Sequence, residues 1–197
     1  MINQKIIEIQ NLDISNERKK VLQPLVKYIQ KSVDNQGVAN LNFICTHNSR
    51  RSQFSQVWAK VAANHYMIPM NSHSGGVEIT ACNERTVASL ERFGFGIQSD
   101  NSTENPVYTI SYDDFAPIEC FSKLFDHESS PTENFAAIMT CSHADENCPF
   151  IPGADERIPV RYNDPKAFDD TELEASKYDE RSAEIASELF YTFSQIK

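Results

Sequence analysis

The chain has 197 residues, 40% of them hydrophobic, and a formal charge of −10. That length suits one domain with a sizeable core, and the acidic balance argues against nucleic-acid or anionic-membrane partners. No apolar run approaches the roughly 20 residues of a membrane span. The opening Met1-Ile2-Asn3-Gln4-Lys5 lacks a signal-peptide pattern, so five cysteines point to reactive thiols in a reducing cytoplasm.

In chain order, residues 16–33 carry Val21, Leu22, Leu25, Val26 and Ile29 at helical spacing, with Pro24 as a kink or late start. Gly37 and Asn40 lead into Leu41-Asn42-Phe43-Ile44, a strand near 41–45. Residues 50–66 repeat Phe54, Val57, Trp58, Val61 and Ala62, an apolar helical face in which Phe54 and Trp58 serve the core. A strand is expected near 68–74, overlapping the turn-rich Ser72-His73-Ser74-Gly75-Gly76, and a helix over 83–93. Val107 to Ile110 and Ile118 to Phe121 suit a hairpin with Asp113, Asp114 and Pro117 in its turn. Cys82 and Cys120 lack ligand spacing and read as bystanders. Phe135 to Thr140 and Arg157 to Val160 are further strand candidates. Thr171-Glu172-Leu173-Glu174 has capping-box spacing and opens a last helix with Ile185, Leu189, Phe193 and Ile196 on one face. The alternation predicts a three-layer α/β/α domain over 1–197, built on a roughly four-stranded, mostly parallel sheet.

Between the strand near 41–45 and the next helix stands Cys45-Thr46-His47-Asn48-Ser49-Arg50-Arg51-Ser52. A short strand-to-helix loop turns successive backbone N–H groups inward, and the helix N-terminus adds partial positive charge. Thr46 to Arg51 would supply the cradle. Arg51 offers a planar fork for two oxygens of a tetrahedral oxyanion. The same field favours a Cys45 thiolate, to which Ser52 can donate. Asn48 tolerates the left-handed backbone such a nest needs.

This loop resembles the signature of low-molecular-weight tyrosine phosphatases and of the thioredoxin-coupled arsenate reductases that share their fold. Cys45, Asn48, Ser49, Arg51 and Ser52 carry the match. The family usually has Gly where His47 stands and Cys where Arg50 stands. The Ser-Gly turn and Gly96-Ile97 also fit. The resemblance covers about 40–197, leaving 1–39 as an N-terminal helical extension and 98–133 as an insertion.

In the reductases a strand ends in a cysteine, followed by an acidic segment and a second cysteine before Pro. Cys141 to Cys148-Pro149 matches in order and spacing. The resemblance then implies a relay: Cys45 attacks arsenate, Cys141 attacks Cys45, and Cys148 carries the disulfide outward to a thioredoxin-like dithiol. The family also puts its general acid in an Asp-Pro pair, which assigns Asp164. Aromatic residues usually follow that pair in the tyrosine phosphatases. Lys166-Ala167-Phe168 follows here, leaving Phe168 and Tyr162 as the aromatics nearby. Asp169 and Asp170 read as solvated. Some related reductases hold potassium, but Gln56 stands where an acidic ligand is expected, so no cofactor is assigned.

Arsenate reduction is the leading expectation. The alternative is phosphomonoester hydrolysis through Cys45, Arg51 and Asp164, with Cys141 and Cys148 protecting Cys45 from irreversible oxidation. A non-enzymatic reading is a redox- or metal-responsive binding protein. Cys45-x-His47, Cys141-x-His143 and Cys148 supply soft ligands, yet that spacing is unusual for structural zinc, and no metal is expected.

Overall fold

The computed structural model describes residues 2–100, 104–147 and 150–197. Its central element is a four-stranded sheet of β1 (Ala39–Cys45), β2 (Met70–Gly76), β6 (Phe135–Met139) and β7 (Ala154–Pro159). The order is β2-β1-β6-β7 and every neighbouring pair is parallel. Parallel strands need crossovers, which the helices supply. The helices are α1 (Ile2–Gln10), α2 (Asn16–Gln36), α3 (Arg51–His65), α4 (Glu84–Phe93), the short α5 (Ser142–Asn147) and α6 (Glu174–Ser194), of which α3, α4 and α5 lie in the crossovers.

Side chains alternate across β1, so its two faces meet different partners. Leu41 and Phe43 enter the large core with Leu22, Leu25 and Ile29 of α2, Trp58 of α3 and Phe190 of α6. Ile44 and Cys45 belong to a smaller buried cluster with Met139, Cys141 and Ala144. α3 is buried around most of its surface because Ala59, Ala62 and Ala63 let neighbours approach closely. Trp58 keeps its polar edge satisfied by donating to Ser182 Oγ at 2.8 Å.

The expected hairpin is present as β4 (Tyr108–Ser111) against β5 (Ile118–Cys120), antiparallel. A third strand, β3 (Gly96–Ser99), extends it, so Gly96-Ile97 lies in a strand. Ser72 to Gly76 is strand too: β2 runs through it, because its N–H and C=O groups pair in register with β1. At the N-terminus the extension holds two helices. α2 starts at a cap in which Ser15 accepts from the Arg18 N–H, runs through Pro24, and stops at Gly37 with φ 76°. The expected capping box is displaced: Glu174 reaches back to the Asp170 N–H at 2.6 Å while Leu173 occupies the cap position.

This topology positions the site. β1 is followed by α3 and β2 on one side, and β6 by α5 and β7 on the other. The strand order reverses between β1 and β6, the place where open α/β sheets leave a crevice. Ile44 pairs with Met139, and the Thr140 N–H donates to Ile44 O at 2.8 Å. Cys45 and Cys141 therefore leave adjacent strand ends.

Candidate active site

The loop after β1 is held from beneath by Asn48. It takes the left-handed turn, with φ 46°, and His47 does not, so a side chain at position 47 costs no backbone strain. Asn48 Nδ2 donates to Ser52 Oγ at 2.8 Å and to Ser74 Oγ at 2.9 Å, and its Oδ1 accepts the Lys123 N–H at 3.0 Å. Gln53 Nε2 donates to Asn48 O at 2.8 Å. Ser74 also donates to Gln56 Oε1. Gly76 permits the close approach, because a Cβ there would lie 2.8 Å from Asn48 N and Thr46 O.

Cys45 is buried at the end of β1, with Sγ 3.1 Å from Ser52 Oγ. Ser52 accepts from Asn48 and keeps its own proton available, so it can donate to a Cys45 thiolate. Arg50 gives α3 no side-chain cap, leaving first-turn N–H groups without a side-chain acceptor.

The two arginines diverge. Arg51 donates from Nη1 to Tyr162 O at 3.2 Å and from Nη2 to Asp164 Oδ2 at 2.6 Å. Its Nε is buried without a hydrogen-bond partner among the described residues, a donor that an oxyanion in the loop would satisfy. Arg50 also borders the space over Cys45 but commits two of its donors elsewhere. It donates to the Tyr178 hydroxyl at 2.7 Å and to Asp169 Oδ2 at 3.2 Å, and Tyr178 in turn donates to Asp169 Oδ1 at 2.7 Å. Asp169 is thus an anchor and not the solvated residue expected, because α6 brings Tyr178 back over it. Asp170 is exposed and accepts from Arg85.

Asp164 caps the turn Pro165–Phe168 by accepting the Lys166 N–H at 3.1 Å. A cavity of about 10 Å³ remains among Cys45, His47, Ser49, Arg50, Arg51 and Asp164, room for about one water. Beside it opens a larger cleft of about 460 Å³, lined by His47, Ser49, Arg50, Asn83, Tyr108 and Lys166 among others. His47 faces this cleft and pairs with Glu78 at 3.2 Å. Tyr162 is no substrate wall. It is buried beneath Arg18, whose guanidinium lies 4.9 Å from the ring centroid.

Cys141 is buried and approaches the loop through Thr46, whose Oγ1 is 3.5 Å from Cys141 Sγ and 3.3 Å from His143 Nδ1. The Ala144 N–H donates to Cys141 Sγ at 3.3 Å. Asp145, in the acidic segment that follows Cys141, is buried and ion-paired to Arg157 and Arg161. Cys148 lies outside the described residues. Cys82 and Cys120 are buried elsewhere. Burial pushes the Cys120 thiol up to about 12 and that of Cys82 well above its usual range, so both are inert at neutral pH. Among the described residues, no group of three or more His, Cys, Asp or Glu side chains is arranged to hold a metal, and no helix is long and apolar enough to cross a membrane.

No family model matches the chain. Curated relatives do. Arsenate reductase 2 of Staphylococcus epidermidis and arsenate reductases of Staphylococcus aureus are each 27% identical over 124 residues, 62% of this chain and 76% of theirs. Among solved structures, an arsenate reductase in the phosphate-binding state superposes with a TM-score of 0.52 at 16% identity, covering 81% of this chain and 99% of that one. A low-molecular-weight phosphotyrosine phosphatase of Vibrio cholerae gives 0.51 at 10% identity, covering 79% and 94%. The arginine phosphatase YwlE gives 0.52 at 14% identity, with the same coverage.

The chain has the low-molecular-weight tyrosine phosphatase fold and is related to bacterial arsenate reductases. A buried candidate nucleophile, Cys45, stands at the start of the loop. Gln53, Ser74, Lys123, Asp169 and Tyr178 brace the loop and its neighbouring turn but are not singled out by the sequence. Gln53 reaches Asn48 O from five residues away, whereas Ser74, Lys123, Asp169 and Tyr178 meet Asn48 or Arg50 across long separations, and only the Ser74-Gly75-Gly76 run gives a local signal.

Proposed function

We propose that the protein is an arsenate reductase working through Cys45, Cys141 and Cys148. The observation that carries this reading is the meeting of Cys141 with the oxyanion loop: its sulfur lies 3.5 Å from Thr46 Oγ1 and shares a buried cluster with Cys45. The similarity to staphylococcal arsenate reductases supports the same choice.

The chemistry follows in three thiol steps. Arsenate enters the loop, where Arg51 and the backbone N–H groups neutralise its oxygens. The Cys45 thiolate attacks arsenic and a hydroxide or water leaves, giving a Cys45–arsenic bond. The Cys141 thiolate then attacks Cys45 sulfur. The pair of electrons in the sulfur–arsenic bond leaves with arsenic, which departs as arsenite in the +3 state while a Cys45–Cys141 disulfide forms. Cys148 attacks Cys141, releases Cys45 as thiolate, and leaves a Cys141–Cys148 disulfide for an external thioredoxin-like dithiol. Disulfide formation needs sulfurs about 2 Å apart, so α5 must shift past the Thr46 hydroxyl.

A second reading, phosphomonoester hydrolysis, is favoured by the cleft of about 460 Å³ beside the loop. Arsenate has no group to fill it, whereas the organic part of an ester would. Here Cys45 takes the phosphoryl group, Asp164 protonates the leaving oxygen, and water then hydrolyses the phosphocysteine.

The two readings separate on Cys148→Ser. Reduction predicts that this variant loses multiple-turnover arsenate reduction with a thioredoxin system while any hydrolysis of p-nitrophenyl phosphate is unchanged. Wild-type protein that consumes no reductant in response to arsenate would reject the first reading.

A further inference from the structure

β2 is an edge strand of the parallel sheet, and where it faces the β4–β5 hairpin a cavity of about 410 Å³ opens. It shares no lining residue with the cavities around the oxyanion loop. In a chain of net charge −10, this cavity gathers Lys60, His73 and Lys123, with Glu119 as an exposed carboxylate at its wall.

Lys123 is the telling residue. It is only 4% exposed. Its ammonium sits 4.3 Å from the centroid of the Phe121 ring and has no hydrogen-bond or ion-pair partner among the described residues. Lys60 gives one donor to Met70 O at 2.9 Å, leaving two more. Burial first, and then Lys123 and Lys60, hold His73 below its ordinary range. Positive groups gathered this way repel each other, and burial holds the Lys123 ammonium below its ordinary range because its charge is poorly solvated. An anion seated among them removes both penalties. Pro117, Ile118 and Phe121 supply an apolar wall beside the charged end.

We propose that this cavity is a second anion site, taking a small phosphate-type oxyanion carried on an apolar group. The head would lie between Lys60, His73 and Lys123, and the substituent against Pro117, Ile118 and Phe121. The site is wired to the catalytic loop from two sides. The Lys123 N–H donates to Asn48 Oδ1 at 3.0 Å, and Gln56, which also lines the cavity, accepts from Ser74, itself an acceptor from Asn48. The proposal stands apart from the choice between reduction and hydrolysis.

Equilibrium dialysis with radiolabelled inorganic phosphate tests it, using the Cys45→Ser/Arg51→Ala variant, in which the first oxyanion loop is disabled. Saturable phosphate binding is expected to persist. Adding Lys60→Gln removes a charge-assisted contact and is expected to weaken binding roughly tenfold or more, while Glu119→Gln removes an opposing charge and is expected to tighten it. Phenyl phosphate is expected to bind the loop-disabled protein more tightly than inorganic phosphate. Lys60 is partly exposed and Glu119 exposed, so the test does not depend on changing the buried Lys123. Absence of saturable binding, or binding that neither change moves, would overturn the proposal.

Discussion

Arg51 donates to Asp164 at 2.6 Å, so the residue that would grip the oxyanion and the residue that would protonate a leaving group hold each other across the mouth of the loop. With only about 10 Å³ between them and Cys45, an incoming oxyanion must displace this pair. On the proposed function, Arg51 would then exchange one carboxylate for the anion, and Asp164 would be freed to serve as the acid.

Arg51→Lys keeps the charge and loses the fork. The missing charge-assisted bond predicts a fall in kcat/KM of roughly ten- to a hundredfold with either arsenate or p-nitrophenyl phosphate. Steady-state kinetics check this, and an unchanged kcat/KM would remove Arg51 from the site.

Asp164→Asn separates the chemistries. Ester cleavage loses its proton donor and is expected to slow by roughly 10²- to 10⁴-fold. Formation of the Cys45–arsenic bond expels water or hydroxide and is expected to suffer less. Parallel assays of both substrates on one preparation give the ratio.

Asn48→Ala removes three side-chain hydrogen bonds at a residue with φ 46°. A loss of about 2–4 kcal/mol in urea unfolding is expected from bonds worth about 1 kcal/mol each plus backbone strain. The same variant should lose oxyanion binding even below its unfolding transition.

Arg50→Met cuts the tie to Asp169 and Tyr178 that anchors the turn after Asp164. Because Arg50 works through that turn and not on the oxyanion, kcat for ester hydrolysis is expected to drop severalfold with little change in KM. A rise in KM at constant kcat would instead make Arg50 a substrate contact.

Alkaline stability carries a signature of the buried thiols. Cys120 is held up to about 12 by burial, against an ordinary value of 9.0. Between these values the unfolded chain gives up a proton that the folded chain keeps, so stability falls as pH rises. This contribution is complete below about pH 9 and is lost progressively as pH rises toward 12. Cys120→Ala is expected to flatten the fall, as read from urea midpoints across that range.

Much of this fold was legible in the sequence because its central strands are continuous apolar runs. Phe43-Ile44 and Phe135 to Met139 are buried on both faces and need no alternation. β7 was caught only from Arg157 onward, since Asp155 and Glu156 carry no strand signal at that edge. α1 lies within the expected helical extension over 1–39, although its own spacing of Ile2, Ile6 and Ile9 is not singled out there. At the site, local chemistry was readable and long-range pairing was not. Asn48 announced its turn, but nothing near Asp169 indicates that Tyr178 and Arg50 will fold over it. The sequence places Arg50 in the cradle of residues 46–51, and nothing local indicates that its guanidinium also ties down the turn after Asp164 through Tyr178 and Asp169.

The relay is tested most directly by peptide mapping of the Cys148→Ser variant after one exposure to arsenate. The account predicts a Cys45–Cys141 disulfide, with arsenite released in equal amount, because the third thiol is no longer there to move the bond onward. Free thiols at both positions with no arsenite formed would contradict it.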